Sequence, residues 1–135
     1  MHFVAEHEII SQPPEPGSFS PGVFQAQILT ARRDQGMRAS RFSYEPGARS
    51  FWHTHDGEQA LYVITGRGVL GREGEEPHYL EPGAWVHVEP GERHWHGAVA
   101  DNVFAHLAVT ATGGTTWHEP VSEATYEAAM HPRDD

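Results

Sequence analysis

Residues 47–66 read GARSFWHTHDGEQALYVITG, and the rest of the chain is interpretable around them. On a strand, side chains alternate between faces, so His53 and His55 point the same way, about 7 Å apart along the strand. Asp56-Gly57 is a turn dipeptide that folds the chain back. The next strand then starts near Gln59, with Gln59, Leu61 and Val63 on one face and Glu58 on the other. A second turn at Pro90-Gly91 delivers His94 and His96. We expect His53, His55, Gln59 and His94 to surround one divalent metal ion.

The composition bounds what such a site can be. The chain has 135 residues, enough for one domain with its own core. Its 14 Gly and 10 Pro punctuate short segments with little helical period, which favours an all-β barrel or sandwich. There is no cysteine, so thiolate ligands and disulfides are excluded. His, amide and carboxylate donors point away from a structural zinc site and towards Mn, Fe, Ni or catalytic Zn. All 9 basic residues are Arg, so chemistry needing a Schiff-base or P-loop lysine is excluded as well. A net charge of −10 argues against nucleic acid and anionic membranes as partners. With no signal-like or membrane-length apolar run, the expected location is the cytoplasm.

Residues 1–22 read as an N-terminal arm ending in a Pro-rich loop, and residues 23–130 as the barrel. Strands are expected at 23–31, 37–44, 51–55, 59–65, 69–72, 77–80, 84–88, 94–99, 103–111 and 115–117. Ser122 is placed to cap a short helix over 123–130, with residues 131–135 fraying beyond it.

The motif spacing resembles the cupin superfamily. Gly47, His53, His55, position 59 and Gly66 fit the first cupin motif, with Gln59 where many members carry Glu. Gly83, Gly91 and His94 fit the second, although Glu89 replaces its usual Pro and Ala98 its frequent Asn. Over roughly residues 38–126 the chain is similar to small single-domain cupins associated with carboxymuconolactone decarboxylases, a group that includes bacterial cupin-type hydroxynitrile lyases. The resemblance implies a single jelly-roll-like β-barrel with a short C-terminal helix. It also implies a homodimer, often with the N-terminal strand exchanged, and a Mn or Fe ion on His53, His55, Gln59 and His94.

Three imidazoles and one amide would leave a divalent ion its full charge, which favours Lewis-acid chemistry over the 2-His-1-carboxylate pattern of oxygenases. Together with the resemblance to hydroxynitrile lyases, this makes a lyase on a small organic substrate the expected activity, most concretely cyanohydrin cleavage and synthesis. An iron dioxygenase or isomerase, or a metabolite-binding cupin without catalysis, are the alternatives. His106, in phase with Phe104 and Ala108 on an apolar strand, is by its phase either a buried structural histidine or a base, and the resemblance implies that it is the catalytic base. Ser40, Phe42, Tyr44, Leu61, His96, Phe104, Ala108 and Thr110 share the parity of a pocket lining. Phe42 and Tyr44 would form an aromatic wall.

Overall fold

A computed structural model describes residues 1–131 as two antiparallel sheets packed face to face, with one short helix on the outside. The first sheet contains β1 (Ser11–Gln12), β2 (Val23–Leu29), β3 (Arg38–Tyr44), β5 (Gln59–Gly66), β8 (Trp85–Val88) and β10 (Phe104–Thr110), in the order β1-β2-β3-β10-β5-β8. The second contains β4 (His53–His55), β6 (Gly68–Arg72), β7 (His78–Leu80), β9 (His94–Ala98) and β11 (Thr115–Trp117), in the order β11-β4-β9-β6-β7. Among the described residues one α-helix, α1 (Glu123–Met130), follows the strands, and a single 3-10 turn at Glu6–Glu8 precedes them.

Strand ends match the sequence reading to within three residues. Ser122 caps α1 by accepting from the Thr125 amide. The N-terminal arm carries β1, whose two residues pair with Gln25 and Ala26 of the same chain and fold the arm back over the mouth of the barrel. The fraying expected over 131–135 falls, after His131, outside the described residues.

The alternation of each strand sets what lies between the sheets. Val23, Tyr44, Val63, Leu70, Leu80, Ala98 and Phe104 form a core at the closed end. At the other end the inward positions are Gln25, Ser40, His53, His55, Gln59 and Thr110, and a cavity replaces the core. A second cluster, Trp52, Val69, Trp95, Val121, Tyr126 and Ala129, seals α1 onto the outer face of the second sheet. There Trp95 lies across Gly71, its cross-strand partner; a Cβ on Gly71 would stand 2.0 Å from Trp95 Nε1. Glycine is therefore required at that position for close approach rather than for backbone freedom. Gly66 needs both, because it has φ +78° and lies against the Val103 carbonyl.

Candidate metal centre and cavity

His53 and His94 are cross-strand partners on β4 and β9, and their ring centroids are 4.2 Å apart. His55 follows on the same face of β4, 5.0 Å from His53 and 5.5 Å from His94. Gln59 faces them from β5 in the opposite sheet, while Glu58 points outward and meets His87 Nε2 at 3.0 Å on the surface. The strand parity read from the sequence therefore aims the amide inward and the carboxylate outward.

The hydrogen bonds around these side chains fix which atoms face the centre. His53 Nδ1 lies 2.9 Å from the Phe51 carbonyl, and His94 Nδ1 lies 2.9 Å from the Glu92 carbonyl. A carbonyl only accepts, so both Nδ1 atoms carry the proton and both Nε2 atoms present a lone pair. His55 Nδ1 is 3.0 Å from Thr115 Oγ1, and Gln59 Nε2 donates to Thr110 Oγ1 at 3.0 Å. The atoms left over, His55 Nε2, Gln59 Oε1 and His94 Nε2, are buried without a hydrogen-bond partner. Stranding three buried polar atoms together is costly unless something fills the space between them. This donor set fits a borderline divalent metal ion.

By proximity alone the grouping differs slightly: one nitrogen each of His53, His94 and His96 lie within 4.8 Å of one another, a three-histidine group able to hold a metal. The stranded atoms, however, belong to His55, Gln59 and His94, while the Nδ1 of His96 is tied into a different network. That Nδ1 is 2.8 Å from Tyr44 Oη, which is also 2.9 Å from His106 Nε2. His106 Nδ1 is 3.2 Å from the Leu107 carbonyl and must donate to it. In the neutral ring, His106 Nε2 then accepts from Tyr44, and Tyr44 in turn accepts from His96 Nδ1. The chain ends with a lone pair on His96 Nε2 at the cavity.

Burial keeps all these rings neutral. Desolvation lowers His53 and His96 well below the usual imidazole range and lowers His94 as well. It takes His55 and His106 down to about 4, with the neighbouring His94 adding to the effect at His55. Tyr44 is pushed well up by burial, so its hydroxyl keeps its proton.

The cavity has a volume of about 520 Å³, lined by His53, His55, Gln59 and His96 among others. Of the expected lining, Ser40, Phe42, His96, Ala108 and Thr110 are present. Tyr44, Leu61 and Phe104 are not: all three are packed away, with Tyr44 and Phe104 in the closed-end core, because parity places a side chain between the sheets without saying how far along the barrel the core extends. His106 also lies behind the wall, fully buried against Phe42, Tyr44 and Phe104, and does not line the cavity. The expected direct contact between His106 and substrate is corrected accordingly: the imidazole that reaches the cavity is His96, and His106 is two hydrogen bonds behind it.

The lining also includes residues that were not expected, among them Phe19, Trp117, Arg38 and Gln25. Phe19 stacks on Phe42 at 5.1 Å and meets Trp117 at 5.3 Å, making an aromatic box. Phe19 sits in the Pro-rich arm, where no periodicity points to it. Trp117 and Arg38 were accessible by parity, in phase with Thr115 and Ser40 respectively. Gln25 donates to Ser40 Oγ at 3.2 Å from β2.

This two-sheet barrel with a histidine cluster at its open end is that of a cupin, and residues 40–110 match the Cupin_2 family, described as Cupin domain. The chain belongs to that family. It is 40% identical over 115 residues to an (R)-mandelonitrile lyase of Granulicella tundricola, covering 82% of this chain and 88% of that protein. A cupin-like protein from Thermotoga maritima superposes with a TM-score of 0.84 at 29% identity, over 87% of this chain and 92% of that one. The polyketide cyclase RemF from Streptomyces resistomycificus shares the fold, with a TM-score of 0.72 at 20% identity over 94% and 91% of the two chains. Among the described residues no helix is long and apolar enough to cross a membrane.

Proposed function

We propose that this cupin is a metal-dependent lyase that cleaves and forms small cyanohydrins, with His53, His55, Gln59 and His94 as the metal ligands and Mn or Fe as the ion. The observation that carries the reading is the set of buried atoms without partners, His55 Nε2, Gln59 Oε1 and His94 Nε2. The likeness to a mandelonitrile lyase supports the substrate class. A divalent ion in this uncharged shell would supply Lewis acidity towards a hydroxyl or nitrile.

The protein's own residues supply the rest. Phe19, Phe42 and Trp117 hold an apolar or aryl group by stacking. His96 Nε2 takes the substrate hydroxyl proton as the carbonyl forms and the carbon–carbon bond to cyanide breaks, its electron pair leaving with cyanide. His96 Nδ1 passes its proton to Tyr44, and Tyr44 passes its own to His106 Nε2. His106 is then the terminal base, reached by relay. The return path protonates cyanide. Burial depresses both imidazoles, so the relayed proton is held only briefly.

The test is cyanide release from mandelonitrile by protein whose metal content has been measured, before and after chelation. Turnover that follows bound Mn or Fe supports the reading. Metal-loaded protein that leaves mandelonitrile and aliphatic cyanohydrins intact refutes it, and metal-dependent oxygen uptake would point to dioxygenase chemistry instead.

A further inference from the structure

The cavity is much larger than a small cyanohydrin needs, and one corner of it has no role in the chemistry above. Arg38 is the first inward residue of β3, at the open end of the barrel. Its guanidinium donates to the Gly113 carbonyl and, at 3.3 Å, to Thr115 Oγ1. Among the described residues it makes no ion pair, although the protein carries a net charge of −10 and Arg49, Arg67, Arg72 and Arg93 each have a carboxylate partner. A cation lining a cavity without a counter-ion leaves room for one to arrive with the ligand.

Thr115 Oγ1 joins this corner to the metal centre. It is 3.0 Å from His55 Nδ1, which carries the proton when Nε2 faces the metal. The oxygen then accepts from both Arg38 and His55, so its own hydroxyl proton is free to donate into the cavity. Two donors, Arg38 and the Thr115 hydroxyl, thus converge beside His55. The aromatic box stands at the other end of the same strands: Thr115 pairs with His55 and Trp117 pairs with His53. Two residues of strand separate them, about 7 Å. Electrostatics are compatible with the same ligand: among the residues lining the cavity Glu15 is the one carboxylate, while Asp56, beside this corner, is exposed and accepts from the Gly114 amide at 2.9 Å.

We propose that Arg38 and Thr115 form a carboxylate-recognition corner, and that the native cyanohydrin is one formed from a short arylalkanoate oxo acid, of which the corresponding hydroxy acid is a stable analogue. Its ring lies between Phe19, Phe42 and Trp117, its oxygen functions lie at the metal, and its carboxylate lies on Arg38. This rests on the lyase-type reading of the centre, which it deepens by naming the charge and length of the substrate.

The test uses 3-phenyllactate and its uncharged amide, with binding to metal-loaded protein measured by calorimetry and by the change in tryptophan fluorescence that is lost in Trp117→Phe. The wild type is expected to bind the acid at least about 30-fold more tightly than the amide, in the range of charge-assisted bidentate pairs. Arg38→Gln is expected to cut that ratio about tenfold or more while amide affinity changes less than about twofold. Arg38→Lys, which keeps the charge but loses the fork, is expected to recover part of the preference. A wild-type protein that binds acid and amide equally overturns the proposal, whether or not the variants fold. So does a preference that Arg38→Gln leaves intact, because the metal alone would then read the carboxylate. Cyanide release from neutral mandelonitrile is scored separately. A protein that prefers the acid but releases no cyanide refutes the lyase reading alone, and the reverse result refutes the carboxylate corner alone.

Discussion

Tyr44→Phe isolates the relay from everything around it. The ring stays, so its stacking on His106 at 5.5 Å and its packing on Phe104 at 5.3 Å survive, and no cavity larger than one oxygen opens. What disappears is the hydroxyl between His96 Nδ1 at 2.8 Å and His106 Nε2 at 2.9 Å. Both nitrogens are buried, and a buried polar group without a partner costs about 1–3 kcal/mol. Two of them sum to about 2–6 kcal/mol; since the hydroxyl itself no longer needs desolvating, a net loss of about 2–4 kcal/mol is expected. Urea unfolding monitored by tryptophan fluorescence gives this directly as a shift in midpoint at constant slope. Nitrogen-15 shifts of the His96 ring report the other half of the argument. With Tyr44 gone, nothing holds the proton on Nδ1, and the two tautomers should mix. Cyanohydrin cleavage should fall by roughly 10²–10⁴, the usual contribution of a positioned acid–base group. A variant with stability within about 0.5 kcal/mol of wild type and an unchanged His96 tautomer would show that the three groups do not act as a chain.

The remaining expectations concern pH, the metal shell, packing and assembly. His55 and His106 are held down to about 4 in the folded protein, so between that value and 6.5 the unfolded chain binds more protons. Metal-free protein should therefore be fully stable above pH 6.5 and lose stability as pH falls towards 4, by at most about 3 kcal/mol per ring; urea midpoints at pH 7.5, 5.5 and 4 measure it. Gln59→Glu adds a carboxylate to the shell and should tighten Mn²⁺ binding roughly tenfold while slowing cyanohydrin cleavage, as competition with a fluorescent chelator and cyanide release would record. Gly71→Ala drives a methyl into Trp95 and should cost about 1–3 kcal/mol in urea unfolding with the cavity unaffected. The outer face of the six-stranded sheet exposes Phe24, Ile64 and Trp85, so we expect two copies to pair there; sedimentation equilibrium should give a dimer, and Ile64→Glu with Trp85→Glu a monomer.

Local rules made much of this legible in the sequence. Period-two alternation and Pro-Gly punctuation locate ten strands, and parity alone separates Gln59 from Glu58. Parity could not say where the cavity ends and the core begins, because both are inward positions of the same strands. Tyr44, Leu61 and Phe104 were misassigned for that reason. Nor could it order His96 and His106, whose relation depends on a third residue, Tyr44, brought between them by the packing of two sheets. Phe19 was out of reach altogether, since an irregular arm carries no period and its docking is a tertiary event.

The anchors of His53 and His94 have one further effect. Each ring is oriented by the carbonyl two residues before it in its own chain segment, Phe51 and Glu92, and not by a side chain of the cavity wall. The aim of these two imidazoles is thus a property of a few consecutive residues of backbone. Phe19, Ser40, Phe42 or Ala108 could be exchanged for other shapes without turning either ring. A scaffold wired this way lends itself to re-engineering of its cavity, since the shape of the lining and the aim of these two imidazoles reside in separable parts.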